Sequence, residues 1–217
     1  MIQNKQIKVE KTARYYTEGP VVSEVKHVWL VCHGYGQLAC YFIKKFNVLM
    51  DGQTLVVAPE ALNKFYLNGF SGRVGATWMT KEAREYDIED YCLYLDSIYS
   101  DLKREYDFSR IQFTVLGFSQ GAATVCRWLA HAGIPVDRLV LWAGVFPPDL
   151  NTDFEFSIKK FLENKITIVY GSEDPMLKQE HHEQIVAMKQ LKPDLELITF
   201  AGGHEIHSET LLKIQHG

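Results

Sequence analysis
The chain has 217 residues, of which 47% are hydrophobic and 23% charged, proportions ordinary for a soluble globular protein. Its 23 lysines and arginines face 27 acidic side chains, a formal charge of −4 with no run of five like charges, which argues against a nucleic-acid binder. The longest apolar stretch, Leu139 to Phe146 with its glycine, has eight residues, far below the roughly 18 that a membrane-spanning helix needs.

In chain order, segments 6–17 and 21–27 alternate in polarity around Glu18-Gly19-Pro20, which predicts an antiparallel hairpin at one edge of a sheet. Six short apolar runs follow: VWLVCH (28–33), TLVVAP (54–59), FTVLGF (113–118), RLVLWAG (138–144), ITIVYG (166–171) and LELITFAGG (195–203). They hardly alternate, as expected for strands covered on both faces. Helical patterns lie between them, over about 38–50, 86–106, 120–132, 178–191 and 206–215, with a shorter one at about 155–163. The clearest places Ile88, Tyr91, Cys92, Leu95, Ile98, Tyr99 and Leu102 on one stripe opposite a charged face. Alternating strands and helices predict an α/β fold with a mostly parallel, doubly wound sheet. No repeat or linker divides the chain, so one domain over 1–217 is expected, without a cap inserted after RLVLWAG. The polar start, MIQNKQIKVEK, shows no secretory pattern, and Cys32, Cys40, Cys92 and Cys126 have no ligand spacing. Both features predict core thiols in a reducing, cytoplasmic setting.

Ligands of open parallel sheets bind beyond the carboxyl ends of the strands, so the residues after each run carry the chemistry. The third run continues as Gly117-Phe118-Ser119-Gln120-Gly121, a G-x-S-x-G pattern in a strand–turn–helix setting. Such a turn exposes the serine hydroxyl at a helix N-terminus, where free N–H groups favour negative charge. A glycine-rich turn with a capping serine is the plainer alternative. A serine nucleophile needs a base and a carboxylate to orient it. Asp174 in GSEDP supplies the acid, with Glu173 and Asp149 as rivals. His204, flanked by Gly202-Gly203, supplies the base, with His207 as the rival. His181 and His182 read as a solvated helical face. Negative charge on the attacked carbonyl oxygen requires backbone donors. These are expected from Gln120 and from the loop His33-Gly34-Tyr35-Gly36-Gln37, where Tyr35 is the donor, Gly36 the alternative and His33 structural. His204, Glu205 and His207 lack the i, i+4 spacing of a helical metal site, so no metal is expected.

With these residues in place the chain resembles the α/β-hydrolase superfamily, and within it the phospholipase/carboxylesterase group that includes acyl-protein thioesterases. The carrying features are HGYGQ (33–37), the segment from APEALNKFYLNG to WM (58–79), GFSQGAA (117–123), GSEDP (171–175) and GGHEI (202–206). The resemblance implies a Ser119–Asp174–His204 triad, Tyr35 and Gln120 N–H donors, and hydrolysis of esters or thioesters without a cofactor. One departure is Tyr35-Gly36-Gln37-Leu38, where that group commonly has an acidic residue soon after the glycine.

The stretch 60–80 reads as a glycine-punctuated loop whose Phe65, Phe70, Trp78 and Met79 wall an acyl pocket or pin the loop to the core. Trp142 and Phe146 are candidates for the opposite wall. The expected partner is a small-molecule ester or thioester with a short-to-medium acyl chain. Neither nucleic acid nor stable membrane insertion is expected, and the chain would act as a monomer or a homodimer. The competing readings are a peptidase or carbon–carbon hydrolase on the same fold, and a non-catalytic binding homologue.

Overall fold
Strands that are apolar on both faces have to be sandwiched between helices, and the apolar runs are so disposed in the computed structural model, which describes residues 1–151 and 164–217. In chain order the strands are β1 (Tyr15–Glu18), β2 (His27–Cys32), β3 (Thr54–Pro59), β4 (Asn63–Tyr66), β5 (Val74–Thr77), β6 (Gln112–Phe118), β7 (Arg138–Trp142), β8 (Lys165–Gly171) and β9 (Glu196–Phe200). The helices are α1 (Ala39–Phe42), prolonged by a 3₁₀ segment Ile43–Leu49, then α2 (Arg84–Glu105), α3 (Gln120–Ala132), α4 (Gln179–Leu191) and α5 (Ser208–His216). The short helical pattern expected over 155–163 lies outside the described residues.

Seven strands form one sheet in the order β1-β3-β2-β6-β7-β8-β9, with β4 and β5 as a separate ribbon. Every pairing from β3 across to β9 is parallel. Alternate residues feed two cores. Val28, Leu30 and Cys32 of β2 join Val115 and Leu141 in the core under α2, α3 and α4. Trp29 and Val31 join Leu116, Val140 and Trp142 in the core under α1 and α5. Leu30, Leu116 and Leu139 are fully buried, each contributing about 1.5–3 kcal/mol relative to exposure. In α2 the predicted stripe faces inward, with Tyr91, Cys92, Leu95, Ile98, Tyr99 and Leu102 buried. Cys32, Cys92 and Cys126 are buried thiols. Burial pushes the Cys92 thiol up to about 12, so these groups stay protonated and behave as small apolar residues.

The N-terminal edge is antiparallel as expected, but β1 pairs with β3, Tyr15 opposite Pro59 and Glu18 opposite Val56. It does not pair with segment 21–27, which holds a 3₁₀ turn (Val22–Glu24) and the start of β2. The reason is that β2 is occupied on both sides, by β3 and β6. At the opposite edge β9 is half covered, and its Leu197 is exposed. Among the described residues no helix is long and apolar enough to cross a membrane.

The sheet has its switch point between β2 and β6, where β2 connects outward to β3 and the chain then crosses to the other side at β6. The register there sets Cys32 opposite Gly117, which brings the loops after the two strands together at one crevice.

Candidate active site
Ser119 stands between β6 and α3 with φ 55° and ψ −117°, a conformation that costs a non-glycine residue on the order of 1–3 kcal/mol. Close packing imposes it. A Cβ on Gly117 would lie 2.2 Å from the Gly121 carbonyl oxygen, and one on Gly121 2.2 Å from that of Cys32. Both positions therefore require glycine, and the turn is pressed between strand and helix. The Ser119 N–H donates to the Trp142 carbonyl of β7 at 2.8 Å, which fastens the turn to the sheet. Ser119 is half-buried at the N-terminus of α3, and its hydroxyl makes no hydrogen bond among the described residues.

Farther along the same sheet edge, β8 and β9 end together with Gly171 opposite Phe200. The Ser172 N–H donates to Phe200 O at 2.8 Å and the Glu173 N–H to Gly202 O at 2.9 Å, stitching the two following loops. Across that seam, His204 Nδ1 lies 2.8 Å from Asp174 Oδ2. A carboxylate can only accept, so Nδ1 carries the proton and Nε2 is left as an acceptor. The Asp174 side chain is 1% exposed and its other oxygen accepts the Met176 N–H at 2.8 Å. The His204 ring, 25% exposed, lies against Phe118, with 4.9 Å between centroids. Phe118 is the residue before Ser119, so the imidazole sits beside the turn that carries the hydroxyl. From beneath, the buried Trp142 indole donates to the Glu205 carbonyl at 2.7 Å and holds the histidine loop down.

The loop after β2 separates the two expected backbone donors. The Gly36 N–H donates to the Ala76 carbonyl at 2.8 Å and is spent, and the Gln37 N–H turns back to Gly34 O. The Tyr35 N–H has no partner among the described residues. Neither does the Gln120 N–H, at the first position of α3, where no helical carbonyl can reach it. His33 is fully buried and structural. Its Nε2 accepts the Ala61 N–H at 3.1 Å, so Nδ1–H donates to Gly34 O at 2.8 Å. Burial holds this imidazole below its ordinary pKa and keeps it neutral.

The rivals are engaged elsewhere. Both oxygens of Asp149 accept from the buried Arg127, at 2.7 Å each, and Arg84 adds a third contact at 2.9 Å. The guanidiniums hold its carboxyl far below the usual range. His207 lies flat on Phe200 and its Nδ1 is 3.0 Å from Thr210 Oγ1. Glu173 is exposed. His181 accepts the Lys178 N–H at the start of α4, and His182 packs on Tyr170. Among the described residues no cluster of three or more His, Cys, Asp or Glu side chains could hold a metal ion.

The expected pocket walls are corrected in part. The stretch 60–80 is not a plain loop. Its flanks pair as β4 and β5, Asn63 opposite Thr77 and Tyr66 opposite Val74, and β5 is tied to the loop after β2 by the Ala76 N–H donating to Gln37 O. Trp78 and Trp142 are buried core residues, each with its indole N–H donated to a backbone carbonyl, His33 and Glu205 respectively. They line nothing. Phe146 is also buried, and Phe70 is fully exposed at the ribbon tip. Phe65 stacks on Tyr35 at 5.1 Å, and Met79 is half-buried with its carbonyl accepting from Gln120 Nε2 at 3.0 Å. The Gln120 side chain is a feature that the sequence reading missed. Besides Met79 it takes the Trp78 N–H at 3.2 Å and bonds Thr77 Oγ1, clamping the ribbon to α3.

A groove of about 490 Å³ opens beside the loop after β2, walled by Leu38, Tyr41, Phe42 and Leu67 with Lys45 and Arg73. Leu38, Tyr41, Phe42 and Lys45 follow i, i+3, i+4, i+7 spacing directly after the H-G-x-G loop. That spacing is the signal that could have found this wall.

Three kinds of comparison bear on this arrangement. The family described as "Serine hydrolase (FSH1)" matches residues 22–213. Among curated protein sequences there is no significant match. Similar solved structures include the esterase PE8 (19% identity, 95% of this chain and 97% of that one, TM-score 0.70) and acyl-protein thioesterase 2 of Zea mays (15%, 94% and 99%, TM-score 0.71). A phospholipase/carboxylesterase of Dyadobacter fermentans is similar at 15% identity, over 96% of this chain and 97% of that one, with TM-score 0.66. At such identities these likenesses speak for the α/β-hydrolase fold.

Proposed function
The chain belongs to the serine hydrolase (FSH1) family, and on that premise we propose that it cleaves carboxylic esters or thioesters with short-to-medium acyl chains through an acyl-enzyme on Ser119. The observation that carries the reading is the 2.8 Å Asp174–His204 bond, delivered by two stitched loops to the flank of a serine held at positive φ.

In the first half-reaction the Ser119 oxygen bonds to the acyl carbon while its proton passes to His204 Nε2. The carbonyl oxygen takes up negative charge and accepts from the Tyr35 and Gln120 N–H groups. The ester C–O or thioester C–S bond then breaks, and His204 returns the proton to the departing alcohol or thiol. In the second half, water gives a proton to His204 as its oxygen attacks the acyl-Ser119 carbon. The bond from that carbon to the Ser119 oxygen then breaks, His204 returns the proton to the serine oxygen, and the acid is released. Asp174 keeps Nδ1 protonated and stabilises the imidazolium that forms in each half. No cofactor takes part in any step.

The test is Ser119→Ala on a p-nitrophenyl ester series of increasing acyl length, with matching thioesters and peptide substrates. Turnover should fall by at least 10³-fold, and a fluorophosphonate should label the parent protein at Ser119 and leave the variant unlabelled. Near-full activity in the variant, or labelling at another residue, would remove Ser119 from the mechanism. A preference for peptides over esters would move the chain to the peptidase reading.

A further inference from the structure
We infer that the groove beside the oxyanion loop selects substrates carrying a second, negatively charged group, a carboxylate or phosphate remote from the scissile bond. The inference rests on the reading of Ser119 as nucleophile, and it adds a specificity that reading does not contain.

Two cations converge on the groove from elements distant in sequence. Lys45 comes from the 3₁₀ extension of α1, and Arg73 from the tip of the β4–β5 ribbon. Neither forms an ion pair among the described residues, and no acidic side chain lines the groove. Lys44 adds a third positive charge, its Nζ 5.7 Å from the centre of the Tyr41 ring. A local surplus of this kind contrasts with a chain whose formal charge is −4. Unneutralised cations above an apolar wall repel one another, and an anion with a short hydrocarbon spacer would relieve that repulsion while covering Leu38, Tyr41 and Leu67.

The groove adjoins the loop that carries the Tyr35 N–H. Gly36 and Gln37, which line it, directly follow the Tyr35 donor. Phe42 in its wall packs on Phe118 at 5.9 Å between centroids, next to the nucleophile turn. In the proposed binding mode, an ester whose carbonyl oxygen reaches the Tyr35 N–H extends one arm toward the groove. That arm is either the acyl chain or the leaving group, and the same cations would receive an anion on either.

The experiment compares charged and neutral esters in pairs. On the acyl side, p-nitrophenyl hydrogen glutarate is set against p-nitrophenyl valerate. On the leaving-group side, 4-butyryloxybenzoate is set against 4-butyryloxybenzamide. The expected result is a higher kcat/KM for the anionic member of one pair. That preference should shrink about fivefold in Lys45→Gln or Arg73→Gln, and fade as salt shortens the Debye length from about 30 Å to 3 Å. Glutarate should also compete with the neutral ester, with a weaker inhibition constant in the double variant. No anionic preference in either pair, or equal losses for both members of a pair, would overturn the inference. Titrating glutarate into Ser119→Ala by calorimetry separates the two readings. Binding there, beside persistent hydrolysis, would sink the nucleophile and keep the groove. Absent binding, beside lost hydrolysis, would do the reverse.

Discussion

Replacing Gly171 with alanine should pull apart the two loops that carry Asp174 and His204. At the end of β8 an added Cβ would lie 2.2 Å from the Gly202 carbonyl oxygen and 2.5 Å from that of Gly203. Both are backbone atoms, so no side-chain rotation relieves the overlap. Real Cβ atoms need about 3.0 Å, so the seam must open by about 0.8 Å. His204 immediately follows the displaced carbonyls, and the same shift would stretch its 2.8 Å bond to Asp174 past hydrogen-bonding reach. A misplacement near 1 Å costs about 10²-fold in rate, and complete loss of the orienting carboxylate about 10⁴-fold. The expected fall in kcat/KM lies between those bounds, with about 1–3 kcal/mol lost from overall stability by overpacking. The assay is steady-state hydrolysis of a p-nitrophenyl ester, paired with a urea melt showing that the variant is folded. Because the two changes act on one bond, Gly171→Ala added to Asp174→Asn should cost little more than Asp174→Asn alone. A folded Gly171→Ala enzyme with at least half the parental kcat/KM, or full additivity with Asp174→Asn, would refute the reasoning.

Asp174→Asn should lower kcat by about 10⁴-fold, whereas Asp149→Asn should keep turnover and lose about 1–3 kcal/mol, because it leaves the buried Arg127 poorly paired. The two kcat values together with urea midpoints check the assignment. Gln120→Ala retains the backbone N–H but releases Thr77, Trp78 and Met79 from α3, and kcat should drop by about tenfold, read in the same ester assay. His33 is kept neutral by burial, so the unfolded chain binds its proton first as the pH falls. Stability should therefore rise with pH up to about 6.5, with His33 contributing at most about 1.4 kcal/mol per pH unit below that value. Urea midpoints at pH 5, 6 and 7 should show a shallower slope in His33→Gln than in the parent; equal slopes would mean that His33 does not supply it.

Much of the fold and the order of the site residues could be read from the chain because parallel strands leave a plain record. Burial on both faces makes VWLVC and RLVLW uninterrupted, and the loops after such runs stand at one sheet edge wherever the strands lie. What escaped depends on partners remote in sequence. A turn at Glu18-Gly19-Pro20 predicts a local hairpin, yet the choice between β3 and segment 21–27 is decided by which edge β2 leaves free. The β4–β5 ribbon was hidden because its strands are four residues each and its long tip is rich in glycine. Trp78 and Trp142 carry the same local signature whether they wall a pocket or prop a loop from below. Only the placement of His33 and Glu205 carbonyls distinguishes the two. Gln120 illustrates the same limit, since its position announces a backbone donor and says nothing of where the side chain reaches.

The switch point between β2 and β6 also has a meaning in time. His27 pairs with Gln112, 85 residues away, and closing so long a loop is an entropic cost that must be met before the contacts reward it. The crevice between Tyr35 and Gln120 does not exist until that closure has happened, and the Asp174–His204 seam needs three further strands laid down after it. Helix content can recover early in refolding, from local contacts in α2 alone, while hydrolysis waits for the whole parallel sheet. Regained activity is therefore a late clock for this chain, lagging the far-ultraviolet signal by the time taken to dock β6 through β9.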